Sequence, residues 1–303
     1  MLSLTACNLC PRLCGIDRRA ARGCCGAGER ARVALVSLHK WEEPCLIGAD
    51  GKGAGTVFFS HCSLRCCYCQ NHEISHGGKG ETVTDERLAE IFLEQQERGA
   101  ATLDLVTPTH YAVQILHALA IAKAKGFSLP VVYNTSGYER TETLEALAGH
   151  VAIYLPDLKY GDEKSARAYS RAADYFKVAS RAICRMVEQV GAVAFSADGQ
   201  LLRGVLVRHL VLPGHRHESM KLLDWLYHTF GDAVQIALMN QYTPLYQAGA
   251  HKEINRRLTT FEYESVVRYA QDLGITRCYV QKGRTADAKF VPVFDGRGVR
   301  KNK

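Results

Sequence analysis

Residues 55–72 read Gly-Thr-Val-Phe-Phe-Ser-His-Cys-Ser-Leu-Arg-Cys-Cys-Tyr-Cys-Gln-Asn-His and contain the pattern that decides the fold. An apolar run ends at Cys62, and Cys66 and Cys69 follow it with C-x3-C-x2-C spacing. Three thiolates on one short loop can bind three irons of a cubic iron–sulfur cluster and leave the fourth iron without a protein ligand. Because an open iron can bind a small molecule, this stretch, here called the cysteine loop, indicates a reactive centre.

Cysteine is abundant for a chain of this length, with 12 in 303 residues. Nine lie in the first quarter in two tight groups: Cys7, Cys10, Cys14, Cys24, Cys25, Cys62, Cys66, Cys67 and Cys69. No signal-peptide pattern starts the chain, and no apolar run reaches the roughly 18 residues of a membrane span. We therefore expect a cytoplasmic protein without a membrane partner, in which grouped cysteines bind metal and do not form disulfides.

Residues 6–26, here called the cysteine arm, contain the first group. Its candidate ligands are Cys7, Cys10 and Cys14, with Cys24 or Cys25 as the fourth. The glycine after Cys25 allows a tight turn around a metal and favours Cys25 over Cys24. Little in this segment can form a core, so a metal is expected to organise it, as structural zinc or as an electron-carrying cluster. A flexible thiol-rich arm is the alternative.

From residue 56 onwards, strands alternate with helices. Strands are predicted at 56–60, 101–107, 130–134, 151–155, 202–212, 234–239 and 278–281, with an earlier one at 31–40; helices are predicted at 85–98, 111–125, 142–148, 163–172, 173–190, 218–230 and 261–273. Strands and helices joined by short loops predict a parallel sheet with helices on its faces. About six such units favour an α/β fold of the open, partial (β/α)6 barrel type over a doubly wound sheet.

Three regions are expected along the chain: a cysteine-rich metal-binding segment at 1–50, the partial barrel at 51–250, and a helix–strand extension with a basic tail at 251–303. The tail from Asp295 is expected to fray. Barrel active sites lie on the loops after the strands. Polar residues cluster at those ends: Thr107, Thr109, His110, Asn134, Thr135, Ser136, Asp157, Lys159, Arg208, His209, Asn240 and Gln241.

The C-x3-C-x2-C loop, with an aromatic residue at Tyr68 before its third cysteine, resembles the radical S-adenosylmethionine superfamily. The Asp157-Leu-Lys159 segment and the Leu-Pro-Gly turn at 212–214 resemble the pyruvate formate-lyase activating enzyme group. The arm's Cys-Asn-Leu-Cys-Pro-Arg-Leu-Cys-Gly run, Thr107-Pro-Thr-His110 and Asn240-Gln-Tyr-Thr-Pro244 are similar to an activating-enzyme-like branch with an N-terminal cysteine-rich segment. The resemblance extends to about residue 245.

The resemblance implies a [4Fe–4S] cluster on Cys62, Cys66 and Cys69, with S-adenosylmethionine chelating the unique iron through its amino and carboxylate groups. One-electron reduction would then give methionine and a 5′-deoxyadenosyl radical, which removes hydrogen from a substrate. The resemblance also implies an oxidoreductase supplied by a one-electron donor such as flavodoxin or ferredoxin. In this comparison, the cysteine arm resembles an auxiliary cluster site.

The resemblance also implies cofactor-binding roles for Tyr68, Thr107, Thr109, Asp157, Lys159 and Asn240. Tyr68 would lie near the adenine, the two threonines near the S-adenosylmethionine amino group, and Lys159 at the ribose or carboxylate. The alternatives are packing of the loop for Tyr68, helix capping for Thr109 and a surface ion pair for Lys159. The sequence assigns no catalytic residue.

The sequence is compatible with several functions. A radical enzyme could activate a glycyl radical enzyme, or could modify a peptide, a nucleic acid or a metabolite using an auxiliary cluster. A non-catalytic iron–sulfur or zinc protein is the alternative of another class, with Cys67, His61 or His72 completing a zinc site. The formal net charge of +7 includes basic groups near the arm, which indicate solvated faces or a patch for an acidic or nucleic-acid partner.

Overall fold

The computed structural model of the protein describes residues 1–281 and 292–301. Its strands are β1 (Arg32–His39), β2 (Ala54–Phe59), β3 (Glu81–Thr82), β4 (Leu103–Val106), β5 (Val131–Thr135), β6 (Ile153–Pro156), β7 (Ala194–Phe195), β8 (Leu201–Leu210), β9 (Gln235–Met239) and β10 (Cys278–Val280). Its helices are α1 (His72–Ser75), α2 (Asp85–Glu97), α3 (Ala112–Ala124), α4 (Thr141–Leu147), α5 (Glu163–Ser170), α6 (Tyr175–Val190), α7 (Arg216–Phe230) and α8 (Thr260–Asp272). Within these ranges, no helix is both long enough and apolar enough to cross a membrane.

The strands form one row in the order β10-β9-β8-β6-β5-β4-β2-β1-β3, with β7 paired to β8 outside it. Pairing is parallel from β10 to β2. Only β1 and β3 continue the row in antiparallel pairs. The row does not close on itself, so the predicted open, partial barrel is confirmed.

The helices cover one face of this sheet. Leu105, Tyr133 and Val207 point to that face and join the helices in a large apolar core. Successive side chains of a strand point to opposite faces, so the neighbouring positions lie on the other face, here called the inner face. The alternation therefore separates a helix-covered core from a concave surface.

The inner face is apolar at one end and polar at the other. At the apolar end, Val132, Leu155 and Leu206 form a small core with Cys45 and Leu46. The latter two belong to a short 3-10 turn at Pro44–Leu46, in the connection between β1 and β2. One step further along β5, β6 and β8, the inward positions are polar and contact one another: Asn134, Asp157 and Arg208.

The expectation that the tail frays from Asp295 is wrong for the residues that the structure describes. The N–H of Gly296 donates to the Ala34 carbonyl at 3.0 Å, and the N–H of Val36 donates to the Arg297 carbonyl at 2.9 Å. Val299 is buried. The tail thus satisfies backbone groups on the free side of β1, and the apolar Val299 holds it there. Lys303 of the basic tail lies outside the described residues.

Candidate active site

The cysteine loop follows β2 directly, at the edge where the parallel strands end. Cys66 is buried, and Cys62 and Cys69 keep partial exposure. Two hydroxyls are aimed at sulfur atoms: Ser170 Oγ donates to Cys66 Sγ at 3.1 Å, and Ser75 Oγ donates to Cys69 Sγ at 3.2 Å. Hydrogen bonds of this kind stabilise charge on cluster-bound sulfur and tune its reduction potential.

The three thiols of the loop affect one another electrostatically. Burial, and then the charge of Cys66, raise the pKa of the Cys62 thiol to about 12. The same two causes raise the pKa of Cys69 to about 11. A buried group of thiols resists ionisation unless a cation compensates the thiolate charge, so the loop suits a metal group that supplies that charge.

Strained backbone is concentrated around the cysteine groups. The non-glycine residues with positive φ in the described chain are Leu13, His61, Arg65, Thr107, Arg171 and Tyr246. Leu13 precedes Cys14 in the arm, whereas His61 and Arg65 lie in the cysteine loop. Each such residue costs about 1–2 kcal/mol, so packing must hold it in place, and such strain collects at functional sites.

Tyr68 lies inside an aromatic cluster. The Tyr160 hydroxyl donates to the Tyr68 hydroxyl at 2.8 Å. The rings of Tyr160, Tyr169 and Tyr242 meet the Tyr68 ring edge-on, with centroids 5.7–6.5 Å apart. This cluster fixes the loop against the end of α5 and the segment after β9.

A charged network lies on the inner face beside the loop. Lys159 Nζ is 2.7 Å from Asp157 Oδ2, and Arg208 Nε is 3.1 Å from Asp157 Oδ1. Arg208 also donates to Asn134 Oδ1 and lies 3.7 Å from Glu42. Burial opposes ionisation of Asp157, but Lys159 and Arg208 hold its pKa below the ordinary value. The carboxylate therefore stays charged between two cations.

The remaining predicted cofactor residues occupy different surroundings. Thr107 ends β4 with φ +60°, and its N–H donates to the Asn134 carbonyl at 2.8 Å. Thr109 is buried and donates its hydroxyl to the Glu139 carboxyl group. The N–H of Asn240 donates to Gln281 Oε1 at 3.0 Å, just after β9. Thr107 and Asn240 thus lie at strand ends, whereas the Thr109 hydroxyl is engaged inside the protein.

Four sulfurs of the cysteine arm converge. A Cβ added at Gly23 would lie 3.4 Å from both Cys14 Sγ and Cys25 Sγ, so these two sulfurs face the same cradle. Cys7 and Cys10 are buried beside them. Burial, and then Cys25 and Cys7, raise the pKa of Cys10 to about 12. Among the candidates for the fourth ligand, Cys25 is buried with this group and Cys24 is exposed.

The arm is joined to the cysteine loop by Arg12. Its guanidinium donates to the Ser63 carbonyl at 3.0 Å and to the Leu64 carbonyl at 3.4 Å. It also donates to the carbonyls of Ser170, at 2.8 Å, and Arg171. One side chain thus holds two carbonyls of the loop and the end of the helix whose serine donates to Cys66.

His61 forms a second contact between the two regions. A Cβ at Gly26 would lie 2.8 Å from His61 Nδ1, and a Cβ at Gly78 would lie 2.4 Å from His61 Cε1. Burial, and then Arg22, Arg32 and further arginines, lower the pKa of His61 to about 4. The neutral ring therefore packs between Gly26, which follows Cys25 in the arm, and Gly78.

The sequence model of the Radical SAM superfamily, named for S-adenosylmethionine, matches residues 56–226, which is more than half of the chain. The chain belongs to the radical SAM superfamily. The family implies S-adenosylmethionine and a [4Fe–4S] cluster, and its matched region contains Cys62, Cys66 and Cys69 and the strands β3 to β8.

Two curated relatives are similar to this radical SAM protein. It is 27% identical over 283 residues to the uncharacterized protein MJ0674 of Methanocaldococcus jannaschii, covering 90% of this chain and 76% of that protein. It is 25% identical over 194 residues to the pyruvate formate-lyase-activating enzyme of Clostridium pasteurianum, covering 60% of this chain and 71% of that enzyme.

Among solved structures, SuiB of Streptococcus suis bound to the precursor peptide SuiA superposes with a TM-score of 0.50 at 14% identity. The match covers 73% of this chain and 46% of SuiB, so this radical SAM protein spans less than half the length of that neighbour. At this identity the likeness shows the fold alone, which is that of the partial barrel.

The residues of the radical SAM loop fit the cluster that the family implies. Within the described ranges, no group of three or more His, Cys, Asp and Glu side chains is spaced to hold one metal ion. A [4Fe–4S] cluster spreads its cysteines over separate irons, so its ligands stand wider apart than those of a single ion. Three thiols, two hydroxyl donors and the neighbouring Lys159 cation match that donor set.

Three acidic residues of the inner face were missed by sequence reasoning. Glu42 and Glu43 follow β1, where the Trp-Glu-Glu-Pro run indicates only the end of a strand. Asp104 interrupts the apolar strand β4. The sequence did contain one signal for this site, which is the lone Asp104 in an apolar strand. A buried acid needs a partner or has a function, so it indicates a polar site on that strand.

Proposed function

We propose that this chain is a radical SAM enzyme whose Cys62, Cys66 and Cys69 bind a [4Fe–4S] cluster with one open iron. The observation that carries this proposal is the hydroxyl-supported thiol group on the loop after β2. When bound, the cluster and S-adenosylmethionine supply reductive cleavage to a 5′-deoxyadenosyl radical that removes hydrogen from the substrate. The chain itself orients the cofactor and excludes water.

The cofactor-binding roles follow from position at the strand ends. Lys159, beside Asp157 and the loop cysteines, offers a fixed cation for the carboxylate or ribose of S-adenosylmethionine. Thr107 and Asn240 offer polar groups at neighbouring strand ends. Tyr68 is proposed to lie near the adenine of S-adenosylmethionine. Thr109 is proposed to make a weaker contribution to cofactor binding, because its hydroxyl already donates to the Glu139 carboxyl group.

The cysteine arm is proposed as a second metal site held by Cys7, Cys10, Cys14 and Cys25. The cradle at Gly23, which a Cβ would fill, supports a bound group between the sulfurs. Four cysteines can bind either a second cluster or a structural zinc ion, and the absence of single-ion spacing among the described side chains favours the cluster. In the proposed division of the chain, residues 1–50 bind this metal, 51–250 hold the radical centre, and 251–303 extend the barrel.

The reaction class follows from the family, and the substrate is a further proposal. Similarity to a pyruvate formate-lyase-activating enzyme favours a glycine on a partner protein. The arm favours a different substrate, such as a peptide, a nucleic acid or a metabolite, because a second metal site suits additional electron transfer or substrate binding. We further propose a cytoplasmic enzyme supplied by a flavodoxin-like or ferredoxin-like one-electron donor.

The test is anaerobic reconstitution with iron and sulfide, followed by dithionite and S-adenosylmethionine. The parent should form 5′-deoxyadenosine, measured by liquid chromatography. Cys66→Ala should abolish it, whereas Cys67→Ala, which removes the adjacent thiol outside the motif, should retain it. The proposal is wrong if the reconstituted parent forms none, or if Cys66→Ala forms as much as the parent.

The arm is tested in a protein with the loop cysteines removed. Iron and zinc are counted in the Cys62→Ala, Cys66→Ala, Cys69→Ala triple variant. About four irons would mean a second cluster and about one zinc a structural site. Absence of both metals, with the protein still folded by circular dichroism, would remove the second site.

A further inference from the structure

Among the described residues, the inner face holds more carboxyl groups than cationic groups. Four carboxyl groups converge there, from Glu42, Glu43, Asp104 and Asp157, against the two cations Lys159 and Arg208. Asp157 takes both cations at close range, 2.7 Å and 3.1 Å. The other three acids, here called the acidic triad, have Arg208 at longer range, with its closest approach at 3.7 Å from Glu42. Glu42 and Glu43 also hydrogen-bond to each other.

Two oxygens of the acidic triad have no hydrogen-bond partner. Asp104 is 0% exposed; its Oδ2 accepts from Asn134 Nδ2 at 3.4 Å, while its Oδ1 accepts from no group. Oε2 of Glu42 also lacks a hydrogen bond. A buried acceptor left unsatisfied costs about 1–3 kcal/mol, more for a charged group, so these oxygens are suited to a donor from outside the chain.

The network lies on the concave inner face and is partly open to solvent, and this part of the face is here called the hollow. The side chains of Asp157, Lys159 and Arg208 each keep 16% exposure, and Glu42 keeps 10%. Exposure falls to 0% at Asp104. Solvent therefore reaches the four partly exposed side chains, and Asp104 is the most deeply buried member of the acidic triad.

The hollow adjoins the radical centre. The Lys159 ammonium acts on the pKa of Cys69, and the charge of Cys66 acts in turn on Lys159. Asp157 and Arg208 connect Lys159 to Glu42. A molecule in the hollow would thus have one part near the cysteine loop and another near the acidic triad.

We propose that the acidic triad, Glu42, Glu43 and Asp104, binds an alkylammonium or guanidinium group of the substrate. This rests on the proposed function, because it assigns the substrate side of the same hollow. A cationic donor supplies both the charge and the hydrogen bonds that the triad lacks. The S-adenosylmethionine amino group is not this donor if it chelates the open iron. The substrate class is therefore a molecule or side chain that ends in a cation.

The proton balance of the triad gives the proposal a direct readout. Burial raises the pKa of each carboxyl to about 7, with Asp104 as the next cause for Glu42 and Glu42 as the next for Glu43. The other charged or titratable groups facing them are Asp157, Lys159, Arg208, Cys45 and Tyr279. Near pH 7 the free triad holds protons, and a bound cation favours the ionised carboxyls, so binding releases protons.

The experiment uses the anaerobically reconstituted full chain with saturating S-adenosylmethionine, in weakly buffered solution at pH 7. The probes are n-butylammonium and n-butylguanidinium, with n-butanol and butyrate as neutral and anionic controls at constant ionic strength. We expect saturable proton release with at least one cation and none with either control. Asp104→Asn and Glu43→Gln should each weaken that binding roughly tenfold or more. Glu188→Gln, on the outer helix α6 and 63% exposed, should bind like the parent.

Several results would overturn the proposal. It is overturned if neither cation causes saturable proton release, or if n-butanol binds as well as the cations. It is also overturned if Asp104→Asn and Glu43→Gln both bind the cations like the parent while circular dichroism shows that they are folded. If Asp104→Asn does not fold, Glu43→Gln on the connection after β1 decides alone. Release of the protons by S-adenosylmethionine itself, with no further effect of the cations, would assign the triad to the cofactor and end the proposal.

The same preparation separates this inference from the proposed function. Formation of 5′-deoxyadenosine by the parent tests the radical enzyme, and cation binding by the parent tests the triad. If 5′-deoxyadenosine forms and no cation binds, only the inference fails. If no 5′-deoxyadenosine forms, the proposed function fails whatever the cations do.

Discussion

The two cysteine regions of this protein are similar in composition but are held in place by different structural means. The cysteine loop is part of the barrel, since β2 leads into it and Ser170 and Ser75 donate to its sulfurs. The cysteine arm has little core of its own and is fixed by side chains that cross between it and the barrel. Thr143, for example, donates its hydroxyl to the Leu9 carbonyl at 2.8 Å.

This difference separates what the fold supplies from what the metal supplies. The loop is placed by a parallel sheet and by the apolar core of the barrel. The arm depends on a few anchors and, in our proposal, on its metal. We therefore expect the loop to keep its geometry when metal is removed, and the arm to respond more strongly to the loss of metal or of an anchor.

Thiol reactivity should show the largest contrast between the regions. In metal-free protein, burial opposes ionisation of Cys14, but hydrogen bonds from the backbone N–H groups of Cys24 and Ile16 and from Cys7 lower its pKa. Burial raises the pKa of Cys69 to about 11. The thiolate reacts with iodoacetamide, so Cys14 should be alkylated at least about 100-fold faster at pH 8. The rates are measured by mass spectrometry after anaerobic chelation.

Raising the pH sharpens this test. The Cys69 rate should rise about tenfold per pH unit until pH 11, whereas the Cys14 rate should level off below pH 9. Cys24 is exposed and reports the reagent's access to the arm. Equal rates at Cys14 and Cys69, with Cys24 labelled normally, would contradict the assigned environments.

The next largest effect is expected when Arg12, which joins the arm to the loop, is replaced. Arg12→Met keeps much of the side-chain volume and leaves the carbonyls of Ser63, Leu64 and Ser170 without their charged donor. We expect the free energy of unfolding to fall by about 4 kcal/mol, measured by urea denaturation.

Arg19→Met is the matched control for this substitution. Arg19 is 58% exposed and pairs with Asp17 in the same turn, so its loss should leave the free energy of unfolding nearly unchanged. A loss for Arg12→Met as small as that for Arg19→Met would show that the carbonyl contacts do not join the regions.

The contact through His61 should be broken by a single methyl group. Gly26 has φ +94°, and its added Cβ would lie 2.8 Å from the His61 ring, which Gly78 prevents from moving away. Gly26→Ala should therefore cost about 3 kcal/mol, from backbone strain and overpacking together. Gly15→Ala, at φ +64° with no atom within 4 Å, should cost about 1 kcal/mol from the backbone alone.

The unfolding midpoints of these two glycine variants give the comparison directly. If Gly26→Ala costs no more than Gly15→Ala, the His61 ring moves freely, and it is not a spacer between the regions.

Much of the fold could be predicted from local pattern. Helix α2 begins after Thr84, whose hydroxyl accepts from the Arg87 N–H, as the capping pattern predicts. The strand–helix alternation predicted the open barrel because parallel strands require such connections. Within the loop, the spacing alone brought three cysteines together. Each of these signals lies within a few residues of the feature that it predicts.

Features formed across long sequence separations were not predictable in this way. Arg12 bonds to Ser170 across the whole first half of the barrel, and no local pattern indicates that pairing. The acidic triad joins Glu42, in an apparent turn, to Asp104 within an apolar strand. The tail also pairs with β1 by backbone groups, which carry no residue-type signal.

The smallest expected effect concerns how the fold tunes the loop's metal group. Ser170→Ala removes the hydroxyl that donates to Cys66 Sγ at 3.1 Å and leaves the backbone carbonyl that accepts from Arg12. Losing a hydrogen bond to cluster sulfur favours the oxidised form, so the reduction potential should fall by a few tens of millivolts, since 59 mV corresponds to about tenfold for one electron. Potentiometric titration followed by electron paramagnetic resonance measures it. Ser180→Ala, whose hydroxyl serves only the Lys177 carbonyl on α6, is the matched control and should leave the potential unchanged. If Ser170→Ala leaves it unchanged as well, the sulfur contact is structural, and the loop would then resemble the arm in depending on its metal more than on the surrounding fold.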